Sequence, residues 1–409
     1  MFEEFNTKDL ESKKELLEIK LKKAKDEIEK LLQIENKSYE NFVMPYQEIG
    51  ESINIFLTPI FHIDSVKNSE ITTKVHEDCL PIISIYETEL SQNVNIYRAL
   101  KDIQDKSKST LNDIQKKVLE NEIRDFELSG CHLNNNLKER LKELNLKLSE
   151  LSHKFSQNIL NATNSYEMII EDYEDVKEIP KSDLELATFE EEGKTKYKFT
   201  LQMPSYIAYI TYGTNRERRE EIYKAYCTRA PENGEIIEEI LLLKDEKSKI
   251  LGFDSYSQYS LSTKMAKSDD DVIEFLYELA KKGKDGAINE YNEIKEFAKK
   301  DGLTNLKSFD LSYYSEKLKK EKYDLDEEFY RPYFEKESVL KGFFEFLNLI
   351  FNIEFKKANT PTWDEKAQAY DIYENGKISS RIYIDLESRK DKRGKVTQRG
   401  NKRTLISAI

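Results

Sequence analysis

The chain has 409 residues, of which 35% are charged and 38% hydrophobic, with only 13 Gly and 8 Pro. This Leu-, Ile-, Lys- and Glu-rich mixture suits amphipathic helices and disfavours a sheet-rich fold. The formal charge of −13 removes any global attraction to phosphate, so nucleic acid is not expected as a partner.

The N-terminal stretch "MFEEFNTKDLESKKELLEIKLKK" lacks the apolar core of a signal peptide, and no run approaches the ~20 apolar residues of a membrane span. The three cysteines, Cys79, Cys131 and Cys227, form no C-x-x-C and are expected as reduced thiols of a soluble, cytoplasmic protein without a membrane partner. Leu10, Leu17, Leu21, Ala24, Ile28 and Leu31 then draw one apolar stripe along a first bundle helix. Further helices are predicted over Glu70 to Tyr97, Leu111 to Leu128 (broken at Gly130) and Leu137 to about Asn164. The last buries Leu141, Leu144, Leu148, Leu151 and Phe155, and the set reads as an antiparallel helical stack.

The pattern then changes. Ser182 with Glu185, and Thr214 with Glu217, have capping-box spacing, and Ser268 before Asp269, Asp270 and Asp271 marks another helix start. "LATFEEEG" and "KYKFTLQM" alternate around a turn and predict a β-hairpin. A second hairpin is centred on Asn375-Gly376 in "AYDIYENGKISSRIYIDLESR". The end, "KVTQRGNKRTLISAI", is basic and without hydrophobic period.

"VHEDCL", Val75 to Leu80, begins like the H-E-x-x-H signature of zinc proteases but has Leu80 where the second histidine belongs. The four histidines, His62, His76, His132 and His153, include no pair at i+3 or i+4. His76 and Cys79 form at most a half-site. The expectation is a bundle helix burying Val75, Leu80, Ile83 and Tyr86, with Pro81 making a kink or a new first turn. No G-x-S-x-G, P-loop or G-x-G-x-x-G occurs, and no catalytic pair stands out among 78 acidic residues. Catalytic and metal-ligating residues are therefore expected to be absent, and substrate-binding residues are unassigned.

Five segments carry a resemblance: "FTLQMPSY" (Phe199–Tyr206), "EEILLLKDEKSKILGFDSYSQYSLSTKMA" (Glu238–Ala266), "FDLSYYSEK" (Phe309–Lys317), "RPYF" (Arg331–Phe334) and "IYIDLESRKDKRG" (Ile382–Gly394). With "FHIDSVKNSE" they resemble the M3 zinc oligopeptidases, of the oligopeptidase A and thimet oligopeptidase kind. The resemblance implies a mainly α, multi-helix, neurolysin-like body with two small β-hairpins, incomplete at its C-terminal end. It further implies a cytoplasmic metalloprotease that hydrolyses short peptides with one zinc. In the family that zinc is held by H-E-x-x-H and a later glutamate, with the motif glutamate as general base. No such residues can be carried onto this chain.

The expected organisation is a helical domain over 1–180, a connector over 181–210 and the start of a catalytic domain over 211–394. A non-family basic tail over 395–409 has the form that a frameshift or early stop produces. The chain alone is expected to be inactive and without cofactor. The alternatives are a non-catalytic helical peptide- or partner-binding module, and one half of a two-chain peptidase whose partner is a C-terminal fragment bearing the zinc site. Apolar surface is expected to lie bare around Gly342–Phe351.

Overall fold

In the computed structural model the described residues are 5, 9–107, 109–324 and 327–393. The basic end over 395–409 lies outside them. Six helices come first: α1 (Lys13–Leu32), α2 (Met44–Val66), α3 (Glu70–Ser91), α4 (Val94–Lys106), α5 (Asp113–Leu128) and α6 (Asn135–Ser165). Then follow β1 (Glu167–Ile170), α7 (Lys181–Ala187), β2 (Thr188–Glu191), β3 (Lys194–Thr200), α8 (Met203–Tyr212), α9 (Arg216–Cys227), α10 (Asn233–Ile250) and α11 (Tyr256–Leu261). The remainder comprises α12 (Asp269–Lys300), α13 (Leu311–Tyr323), α14 (Glu327–Tyr330), α15 (Lys336–Phe351), β4 (Ile353–Lys357), β5 (Gln368–Glu374) and β6 (Lys377–Ile384). The fold is mainly α, as expected. Among the described residues no helix is long and apolar enough to cross a membrane.

The α1 stripe is buried from Leu10 to Ile28, and Leu31 is half-buried. It packs with Ile53, Leu57, Ile60 and Ile63 of α2 and with Val75, Cys79, Ile83 and Tyr86 of α3. A second apolar core joins Ile28 to α4 and α5 through Ile96, Leu100, Leu119 and Phe126. α3 packs on α1, α2 and α6, and α6 also packs on α10. On α6, Leu141, Leu144 and Leu151 are buried, whereas Leu148 and Phe155 are half-buried.

Four local expectations need correction. The predicted helix Glu70 to Tyr97 is two helices, because the Asn93 side chain accepts from the N–H groups of Asn95 and Ile96 and starts α4. α3 runs unbroken through Pro81, without a new first turn, and Leu80 is half-buried. The lost bond to the carbonyl four residues earlier is tolerated because the flanking turns are packed at Cys79 and Ile83. Ser182 caps nothing: Pro180 occupies the cap position of α7. Asn215, not Thr214, caps α9, accepting from the N–H groups of Glu217 and Arg218. Ser268 does cap α12, through the Asp271 N–H. Gly130 turns the chain between α5 and α6 at φ 77°, where an added Cβ would lie 2.5 Å from Leu133 Cδ1.

Both predicted hairpins exist, β2–β3 and β5–β6, the second turning through Asn375 (φ 51°) and Gly376 (φ 75°). Each gains a third antiparallel strand, giving the orders β1-β3-β2 and β4-β5-β6. The first sheet packs on α8 and α9 through Phe199, Tyr209 and Ile222. The second returns to the start of the chain, where Trp363, Ala369 and Tyr383 enclose Phe5 and Val66.

The outer helices are different. α15 has no buried residue, and Phe343, Phe346, Leu349, Ile350 and Phe351 are exposed, as expected for that stretch. α12 also bares apolar residues, among them Phe275, Leu276, Tyr277 and Leu279.

Candidate functional site

A cavity of about 840 Å³ opens between α2, α3, α6, α10 and α11. Its lining is rich in hydroxyls, including Ser84, Ser149 and Ser152, and it holds Glu87 and the cations Lys244 and Lys247. Burial raises the Glu87 pKa, and burial followed by repulsion from Lys244 lowers that of Lys247, whose Nζ donates to Asn145 Oδ1 at 2.6 Å.

One wall carries a cluster drawn from three helices. Asp64, the third-last residue of α2, is fully buried. His76 lies in the second turn of α3 and His153 beyond the middle of α6. The local fold aims them together: Ser69 caps α3 in a box with Thr72 just after α2 ends, so the two helices meet at Asp64. Asp64 Oδ1 accepts from Asn68 Nδ2 at 2.8 Å, Thr73 Oγ1 at 3.2 Å and Thr72 Oγ1 at 3.3 Å. Its Oδ2 faces His76 Nδ1 at 2.9 Å and accepts from Arg393 Nη2 at 2.8 Å. Burial alone would raise this carboxyl, but the His76 hydrogen bond and the Arg393 charge outweigh it and bring the pKa to about 2. The rings of His76 and His153 stand 4.1 Å apart, centre to centre, tilted by 44°. Burial first, then the neighbouring His76, lowers His153 to about 4, so its ring is neutral at pH 7.

A second carboxylate hub lies close by. Asp385 receives both terminal nitrogens of Arg389, at 2.8 and 2.9 Å, and Trp363 Nε1 at 2.8 Å, with Lys392 Nζ at 3.2 Å. Desolvation opposes its ionisation, yet the Arg389 and Trp363 hydrogen bonds hold the pKa at about 2. Backbone bonds dock the same segment on the end of α2: Arg393 N–H to Ser65 O at 2.8 Å and Asn68 N–H to Asp391 O at 2.7 Å. Farther off, Asp310 is fully buried between Arg216 (2.8 Å) and Arg219 (3.2 Å).

Of the sequence half-site, His76 turns toward Asp64 and His153, while Cys79 points into the α1–α3 core, its thiol pushed up to about 11 chiefly by burial. Cys79 and Cys131 are buried free thiols and Cys227 an exposed one. The structure brings together two histidines that helical spacing keeps apart. Reading single helices for ligand pairs misses them, because the second histidine comes from another helix. One signal was available: Asp64 is a charged residue within the apolar run of Ile60, Ile63 and Val66.

The helical scaffold with two small sheets carries no H-E-x-x-H of its own. The description of peptidase family M3 matches residues 209–404, and that of the neurolysin/thimet oligopeptidase N-terminal domain matches residues 17–138. The M3 match therefore runs ten residues past Gly394, where the quoted resemblance stops. Oligopeptidase A of Haemophilus influenzae is 37% identical over 91% of this chain and 57% of its own length. Oligopeptidase A of Escherichia coli is 36% identical over 87% and 55%. Organellar oligopeptidase A of Arabidopsis thaliana is 31% identical over 90% and 49%. All three relatives are named as oligopeptidases A, and each is similar to this chain over most of its 409 residues. The chain belongs to peptidase family M3. It spans about half the length of the curated relatives it matches.

Proposed function

We propose that this chain provides the helical N-terminal domain and the first part of the catalytic domain of a cytoplasmic M3 oligopeptidase, one that acts on short peptides. These 409 residues do not hydrolyse peptides by themselves. The histidine inventory carries this reading: no second histidine stands four residues after any of the four, so the zinc helix of the family cannot be built here. The zinc that the family uses therefore has no family-type ligands in this chain, and no step of hydrolysis is routed through it. The bare apolar faces of α12 and α15 support the same reading, since exposed patches of this kind mark surfaces that another element covers. On this reading 1–180 and 211–394 are the two structural parts, joined by 181–210, while the family match continues beyond them to residue 404.

The test is hydrolysis of an internally quenched peptide by the purified chain, with and without added Zn²⁺. No turnover above the buffer control is expected. Chelator-sensitive turnover that co-elutes with the chain on gel filtration would overturn the proposal. A two-chain peptidase is the outcome if adding the unmatched part of an oligopeptidase A relative creates activity that neither piece has.

A further inference from the structure

Asp64, His76 and His153 each present one potential ligand atom, and the three atoms lie within 4.8 Å of one another. They come from three helices, and none belongs to a local metal motif. His153 supplies the independent observation. Its side chain is only 9% exposed, and among the described residues its Nε2 has no hydrogen-bond partner, the Glu77 carboxylate standing 3.8 Å away. A buried imidazole with an unpartnered nitrogen needs a ligand, and this ring offers a nitrogen within 4.8 Å of the Asp64 and His76 ligand atoms. Two imidazoles and a carboxylate suit a borderline-soft divalent ion. Such an ion takes His nitrogen and Asp oxygen at ~2.0–2.2 Å, which sets neighbouring ligand atoms ~3.3 Å apart in a tetrahedral arrangement. The separation of 2.9 Å between His76 Nδ1 and Asp64 Oδ2, and the outer bound of 4.8 Å, bracket that spacing. His76 and His153 also line the cavity, so a fourth position faces its interior.

Arg393 opposes the ion, because its guanidinium already holds Asp64 Oδ2 at 2.8 Å. The same Nη2 also donates to Gln157 Oε1 at 2.7 Å, so the guanidinium keeps one partner when the carboxylate turns to a metal. We propose that Asp64, His76 and His153 form a binding site for a divalent transition-metal ion of the zinc or cobalt type, entered from the cavity and in competition with Arg393. This site is separate from the zinc motif of the family and independent of the peptidase reading.

The experiment is a Co²⁺ titration of the tag-free full chain after chelation and dialysis, followed by visible absorption, with Zn²⁺ added to displace the cobalt. The expected result is one ion per chain with the intense visible bands of four-coordinate cobalt and no thiolate charge-transfer band, unchanged in C79S. H153Q and H76Q should lose the bands while keeping the far-ultraviolet dichroism of the parent. R393Q should bind Co²⁺ more tightly by ~10-fold, within the usual range for coupled sites. Absence of bands in the parent and in R393Q, or bands that persist in H153Q, overturns the site. A thiolate band lost in C79S overturns the ligand set in favour of His76 and Cys79. An unchanged affinity in R393Q overturns the competition.

Discussion

Removing the Asp385 charge should loosen the attachment of the second sheet to the N-terminal helices. The Asp385 side chain is fully buried, and its two oxygens serve Arg389, Trp363 and Lys392. Arg389 and Lys392 are themselves only 13% and 16% exposed. Truncation to Ala strips a largely buried guanidinium of its bidentate carboxylate and leaves it Asp364 at 3.3 Å and Asp391 at 3.5 Å, so the cost should fall at the low end of the ~3–5 kcal/mol for breaking a buried pair. Asp385→Asn keeps the shape and loses the charge-assisted bonds, for which ~2 kcal/mol is expected. The depressed pKa leads to the same size of effect: a carboxyl held at about 2, below the ordinary 3.8, corresponds to about 2 kcal/mol of stability. Because the folded pKa is depressed, this contribution is fully present above pH ~4 and is lost as pH falls toward ~2. Trp363 is the single tryptophan, is 4% exposed and donates to Asp385, so its fluorescence reports this hub directly. Urea titrations of parent and Asp385→Asn should differ equally at pH 7 and pH 5.5, and the gap should narrow below pH 4. A difference under ~0.5 kcal/mol, the size of an ordinary surface change, would refute the reasoning.

Asp310→Ala should destabilise the chain by ~3–5 kcal/mol, and Arg216→Ala by much less, because Arg216 is 39% exposed and Asp310 keeps Arg219; equal losses in urea melts would contradict this. Of the three thiols, only Cys227 should react rapidly with an aromatic disulfide reagent under native conditions, and all three in denaturant; two fast thiols in the native chain would count against the buried positions of Cys79 and Cys131. Leu349→Asp, at a position 82% exposed, should change stability by under ~0.5 kcal/mol yet reduce binding of a hydrophobic dye and self-association; a large loss of stability would mean that α15 is already covered. Limited proteolysis should cut α12–α15 before α1–α6, whose apolar stripes are enclosed. The reverse order of cutting would contradict it.

Much of the fold was legible because its periods are local. The Leu17, Leu21, Ala24 and Ile28 spacing marks one buried helix face, and Asn375-Gly376 marks one turn. What was missed depended on partners distant in sequence. β1 and β4 are four and five residues long and follow helices closely, so neither shows enough alternation to separate it from a helix end until β3 or β5 pairs with it. Asn93 ends one periodic run and starts another without interrupting the hydrophobic pattern, which hid the break between α3 and α4. The His76–His153 pair was invisible for the same reason, since spacing reports only on residues of one helix. Choosing Asp64 and Asp385 from 78 acids requires burial, which composition does not contain.

The two depressed carboxylates share a purpose in the fold. Asp64 holds Arg393, and Asp385 holds Arg389, whose Nη2 also donates to the Val66 carbonyl at 3.0 Å. With Ser65 O and Asn68 N also engaged, the segment from Asp385 to Arg393 is fastened along the last turn of α2 by both backbone and charge. Lys67 adds a further tie, pairing with Asp364 at 3.2 Å and Asp391 at 2.9 Å. The chain is thus closed on itself: β5 and β6 are bound to the N-terminal helices, while α12 and α15, which lie between in sequence, carry largely bare apolar faces. A long loop closed this way needs strong fastening, because ordering it costs entropy that the exposed helices return little of by burial. Charges buried at a hub are a costly way to stabilise a protein but an effective way to fix one register, since the two-pronged Arg389–Asp385 pair demands a narrow geometry. The geometry that sets the His76–Asp64–His153 wall is therefore held by the same contacts that bring the two ends of the described chain together.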